Sequence, residues 1–172
     1  VKHIPKIIYA GNLMDSKSPF LYELSEKKMD FRINVYGKRE ELIKNTKINY
    51  CGNFKADILP DKLRGDLGLV WDGLVDASSD TMPQRNYTRY NTPHKFSCYM
   101  AAGLPVIAWK DAAIADIIRK YQVGYLIENI YEINQLDYAQ YDIFRENAEK
   151  LAVKVRKGWF TRKVFQAIQE SL

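Results

Sequence analysis

Short apolar runs alternate with amphipathic stretches along most of this chain. IPKIIYAG at residues 4–11 is a buried-strand pattern that enters a Gly-Asn turn. FRINVY at 31–36 alternates as a strand does and stops at Gly37, and residues 47–51 form a strand closed by Gly52-Asn53. LGLVW at 67–71, PVIAW at 105–109 and GYLI at 124–127 complete six predicted strands. Between them, 19–28 reads as a helix with Phe20, Leu21 and Leu24 on one face. A short helix is expected at 38–44, a helical turn at 58–63, and helices at 93–102 and 112–121. Near the end, Phe144, Ala148, Leu151, Ala152, Val155 and Trp159 recur at helical spacing, as do Phe160, Val164, Ile168 and Leu172.

Strands alternating with helices predict an α/β fold, a Rossmann-like doubly wound parallel sheet of about six strands. Ligands of such sheets bind beyond the carboxyl ends of the strands. That rule selects residues 11–18, 36–39, 52–54, 72–91 and 110–114.

Composition narrows the classes. The chain has 172 residues, 47% hydrophobic and 27% charged, values of one globular domain. No apolar run reaches about 18 residues and no signal-peptide pattern occurs. The start at Val1 rather than Met, close to a strand, predicts an excised part whose partner domain lies elsewhere. Cys51 and Cys98 lack metal-ligand spacing and read as reduced, cytosolic thiols. His3 and His94 are the only histidines, which disfavours a His-rich metal site or a Ser-His-Asp triad. A formal charge of +5 favours phosphates, an acidic substrate or a membrane surface, and no nucleic-acid recognition motif occurs.

The most informative segment is 90–108, YNTPHKFSCYMAAGLPVIA. Thr92 is placed to cap a helix and Pro93 to occupy its first position. The amides of His94 and Lys95 then lack partners inside the helix and, with the helix dipole, attract an anion. Lys95 adds a full charge in a first turn that ordinarily prefers Asp or Glu, which marks it as a phosphate ligand. The plainer alternative is a capped helix with Lys95 in water. Residues 11–18 contain neither GxGxxG nor a P-loop, which disfavours dinucleotide oxidoreductases and P-loop nucleotidases. There Ser16 and Lys17 can bond phosphate oxygens, while Ser18 can cap the helix that follows. Tyr36, at a strand end beside Gly37, can lie against a nucleotide base or belong to the core. Residues 72–91 read as a long loop holding Asp72, Asp76, Asp80, Arg85, Arg89, Tyr87 and Tyr90, with Asp76 available to sugar hydroxyls. The basic end, from Lys150 to Lys163, is a solvated face, or an interface with an anionic membrane or a missing domain.

The order strand, long loop, capped helix, Cys98-Tyr-Met-Ala-Ala-Gly103-Leu-Pro-Val-Ile-Ala108, helix, Val-Gly-Tyr resembles the C-terminal, donor-binding half of GT-B glycosyltransferases. Those carry roughly E-A-M-A-x-G-x-P-V-I-A, and Gly103, Pro105 and Val106 match. Tyr-Asn-x-Pro-x-Lys ahead of that strand resembles a bacterial subfamily of serine-rich adhesin glucosyltransferases and galactofuranosyltransferases. The resemblance implies a donor-binding domain at 1–157 and a C-terminal helix at 158–172 that packs towards a missing N-terminal, acceptor-binding domain. It implies a hexosyltransferase that takes a UDP-sugar donor and a glycan or glycoprotein acceptor, in the cytoplasm or at the membrane surface. No cofactor and no metal are expected, and a homo-oligomer is compatible with it. Tyr36 would meet the base; Thr92, Lys95, the His94 and Lys95 amides, Lys17 and Ser16 the diphosphate; Tyr90, Asn91 and Asp76 the ribose and sugar. The catalytic residues are not assigned. Many relatives in this fold carry two glutamates eight positions apart where this chain has Tyr90 and Cys98. That departure keeps two alternatives open: a non-catalytic nucleotide-binding or subunit-interaction module, and a GT-B-shaped sugar-nucleotide epimerase.

Overall fold

A computed structural model describes residues 5–25, 29–38, 46–78 and 83–170. Six parallel strands form one sheet: β1 (Lys6–Ala10), β2 (Arg32–Tyr36), β3 (Ile48–Tyr50), β4 (Leu67–Val70), β5 (Val106–Trp109) and β6 (Gly124–Ile127). Their spatial order is β3-β2-β1-β4-β5-β6, the doubly wound arrangement expected from the alternation of elements. Uninterrupted apolar runs suit β1, β4 and β5 because helices cover both faces of the sheet, and Ile7, Ile8, Leu67, Leu69, Val106 and Ile107 are fully buried.

The helices are α1 (Pro19–Ser25), α2 (Leu59–Lys62), α3 (Pro83–Tyr90), α4 (His94–Ala101), α5 (Ala115–Tyr121), α6 (Tyr141–Arg156) and α7 (Trp159–Glu170). Two 3-10 segments, Ile130–Gln135 and Tyr138–Gln140, precede α6. On α6 the expected stripe is buried at Ala148, Leu151 and Ala152. Gly158, at φ +63°, separates α6 from α7 and takes Trp159 off that stripe. No residue of α7 is buried, although Phe160 meets Tyr121 edge-on, with ring centroids 6.2 Å apart. No described helix is long and apolar enough to cross a membrane.

Two expectations are corrected. The stretch 72–91 is not one loop, because α3 occupies its second half. Thr92 is not the cap of the next helix. Pro93 is the N-cap, extended at φ −67° and ψ 143°, no side chain caps the helix, and α4 starts at His94. The short helix expected at 38–44 falls largely outside the described residues.

The sheet reverses its strand order at β1. There β1 pairs with β2 along its whole length, Lys6↔Arg32 to Ala10↔Tyr36, but with β4 only at Ile7↔Leu67 and Ile8↔Gly68. Beyond that point the two strands part. The buried Tyr99 of α4 enters the gap, where its hydroxyl accepts from the Ala10 amide at 2.8 Å and lies 3.3 Å from the carbonyl oxygens of Ile8 and Leu69. Tyr99 thus satisfies backbone groups that the ladder no longer pairs. The switch-point crevice opens immediately above it.

Candidate functional site

The crevice is built around Lys95. From the first turn of α4 its side chain crosses the carboxyl end of β1. Gly11 permits the crossing, since a Cβ there would stand 2.8 Å from Lys95 Cε. The ammonium donates to Asp72 Oδ1 at 2.6 Å, approaches the Trp71 carbonyl at 3.4 Å, and lies 5.2 Å from the centre of the Tyr9 ring. Burial pushes the Lys95 pKa down, but Tyr9 and Asp72 outweigh it and hold the ammonium above its usual value. Tyr9 is itself raised, first by burial, and the side chain of Asp72 pairs with the ammonium. The unusual lysine in a helix's first turn is therefore balanced by an aspartate just beyond β4.

Beneath Lys95 the polar groups are tied together. The Ser18 hydroxyl donates to the Asn12 carbonyl at 2.6 Å and is 2.5 Å from the Tyr9 hydroxyl. Ser18 is fully buried, and its hydroxyl braces the turn after β1. At the start of α4 the Phe96 amide bonds to the Pro93 carbonyl at 3.0 Å. The amides of His94 and Lys95 have no intrahelical acceptor, as the helix start requires.

Two cavities meet at Gly11, Asn12, His94 and Lys95. The larger, about 1010 Å³, runs between the carboxyl ends of β2 and β3 and the outer face of α4, past Tyr36, Phe54, Leu59 and Cys98. The smaller, about 530 Å³, opens towards Lys17, Asp72 and Tyr87.

Of the residues expected at the site, the structure gathers Lys95, His94 and Lys17 on these walls. Tyr36 reaches the larger cavity from a buried position. Its hydroxyl accepts from the Arg64 amide at 2.9 Å, and its pKa is pushed up to about 12, chiefly by burial. The other candidates lie elsewhere. Ser16 faces a separate depression beside Asp15 and Glu23. Asp76 bridges to Asn129, and its carboxylate accepts from the Ser78 amide at 2.9 Å and the Ser78 hydroxyl at 2.7 Å, which turns it from the crevice. Tyr90 ends α3 at 82% exposure and, like Asn91 and Thr92, lines neither cavity. The Asn91 amide instead closes α3 on the Tyr87 carbonyl at 2.9 Å. The Arg89 guanidinium lies 5.1 Å from the centre of the Trp109 ring.

Sequence reasoning passed over Phe54, whose ring is 6.4 Å from that of Tyr36 and half-buried on the cavity wall. Its signal was position: an aromatic two residues after Gly52, at the carboxyl end of a strand. Asp72 was visible only as one aspartate among several.

Comparison with known proteins gives the family and the fold. Residues 7–168 match the family described as "Glucosyltransferase 3-like, C-terminal domain". The chain belongs to this family. It is 33% identical over 174 residues to the β-1,6-galactofuranosyltransferase WbbI of Escherichia coli (strain K12), covering 96% of the chain and 50% of that protein. It is 28% identical over 174 residues to glucosyltransferase 3 of Streptococcus gordonii, covering 98% of the chain and 49% of that protein. The chain thus spans about half the length of these relatives. Among solved structures, WaaG, a glycosyltransferase involved in lipopolysaccharide biosynthesis, superimposes with a TM-score of 0.52 at 13% identity, over 88% of this chain and 43% of that one. The fold is that of a GT-B glycosyltransferase half, and the family is one of glycosyltransferases.

Proposed function

We propose that this chain is the donor-binding domain of a UDP-sugar-dependent glycosyltransferase that passes a hexose to a glycan or glycoprotein acceptor. The observation that carries the reading is Lys95. A cation held at the switch point, beside two helix-start amides and at the junction of two cavities, is suited to a diphosphate. The nucleoside would occupy the larger cavity, with the Phe54 and Tyr36 rings beside the base. The similarity to a galactofuranosyltransferase and a glucosyltransferase supports a hexosyl donor.

In a glycosyl transfer the nucleoside diphosphate leaves, and charge grows on its terminal phosphate in the transition state. Lys95 and the His94 and Lys95 amides would offset that charge without reorganising, with Lys17 adding a cation on the wall of the smaller cavity. We assign this compensation to those groups rather than to a metal. The acceptor site and any general base would belong to the part of the relatives' length that this chain does not cover. The test is a melting-shift series with UDP, GDP and ADP. UDP at a hundredfold excess over its Kd should stabilise the fold by about 2.7 kcal/mol. A folded protein that none of the three stabilises contradicts the reading.

A further inference from the structure

The two cavities differ in chemistry as well as size. Asp72 lines the smaller cavity and not the larger one, and among the described residues it is the only carboxylate there. Its side chain keeps 20% exposure. Oδ1 is held by Lys95 at 2.6 Å, and Oδ2 has no partner among the described residues. Tyr87, 59% exposed on α3, lines the same cavity. With a nucleoside in the larger cavity and a diphosphate at Lys95, whatever follows the second phosphate must enter the smaller one.

We propose that the smaller cavity holds the donor sugar and that Asp72 is the residue that binds its hydroxyls. This rests on the UDP-sugar reading above. A carboxylate already fixed through one oxygen presents the other in a set direction, so little side-chain freedom is lost when a hydroxyl donates to it. Such charge-assisted bonds are roughly twice as strong as neutral ones. The volume, about 530 Å³, lies within the ordinary range of small-molecule sites. Asp72 would thus supply the carboxylate that neither Tyr90 nor Cys98 provides. The same charge facing the phosphates would repel them, which favours placing it on the sugar side of Lys95.

The test is titration calorimetry of the protein with UDP, UDP-glucose and UDP-galactose, for the wild type, Asp72→Asn and Tyr87→Ala. Asp72→Asn should weaken the tighter-binding UDP-hexose by about tenfold more than it weakens UDP. Tyr87→Ala, at an exposed ring that the fold does not need, should weaken the UDP-hexose several-fold and leave UDP unchanged. Equal changes for UDP and UDP-hexose in both variants would overturn the sugar assignment and leave the nucleotide site standing. Tighter binding of both ligands by Asp72→Asn would make Asp72 a competitor for Lys95, and would overturn it too. A wild type that binds no UDP overturns this proposal and the donor-site reading together.

Discussion

Gly68 leaves the space that Tyr99 fills: a Cβ built on Gly68 would lie 2.4 Å from Tyr99 Cγ. The contact seats α4 on β4 and carries the Tyr99 hydroxyl into the gap between β1 and β4. Gly68→Ala should therefore cost about 1–3 kcal/mol or more by overpacking, read as a lower midpoint in denaturant. Tyr99→Phe removes the acceptor of the buried Ala10 amide and should cost about 1–3 kcal/mol. An unchanged midpoint in both variants would contradict this packing.

Gly11 separates the site from the fold. A Cβ at Gly11 meets the far end of the Lys95 side chain, at 2.8 Å, and no backbone atom closer than that. Gly11→Ala should displace the ammonium from Asp72 and weaken UDP binding about tenfold, while changing stability by less than about 1 kcal/mol. Full UDP affinity in a folded Gly11→Ala protein would show that the position of Lys95 is immaterial to binding.

Most of the scaffold was legible in the sequence, because a doubly wound sheet writes its order in apolar runs and helix stripes. Four of the five segments selected by the carboxyl-edge rule contribute residues to the two cavities, and 110–114 does not. Side-chain direction was less legible. Asp76 and Asp72 look alike in sequence, yet the Asp76 carboxylate accepts from the amide and hydroxyl of Ser78 while Asp72 faces Lys95. α3 was missed because PQRNYTRY has little apolar content beyond its tyrosines. Thr92 was misread as a cap because Pro93, set at its fixed φ but extended at ψ 143°, takes the cap position itself.

Alkaline pH should destabilise the protein in a defined window. The Tyr36 phenol titrates near 10 when unfolded and is pushed up to about 12 in the fold, mainly by burial, with Cys51 adding and Arg64 opposing. A raised pKa stabilises the neutral form, so this contribution is complete below pH 10 and is lost as pH rises from 10 through 12. Tyr9 and Tyr99 shift in the same direction. Denaturant midpoints should hold to about pH 10 and then fall. Tyr36→Phe should be about 1 kcal/mol less stable at pH 8, having lost the acceptor of the Arg64 amide, yet decline less steeply above pH 10. Parallel declines in the two proteins would contradict the assignment.

The proposed donor site turns on Lys95 as the residue that grips the diphosphate. The most direct measurement is the UDP affinity of Lys95→Ala beside the wild type, by calorimetry, with the fold of each checked by circular dichroism. A wild type that binds UDP and a folded variant at least about tenfold weaker are expected, since a charge-assisted contact to phosphate is lost. Equal affinity in the two folded proteins would contradict the account.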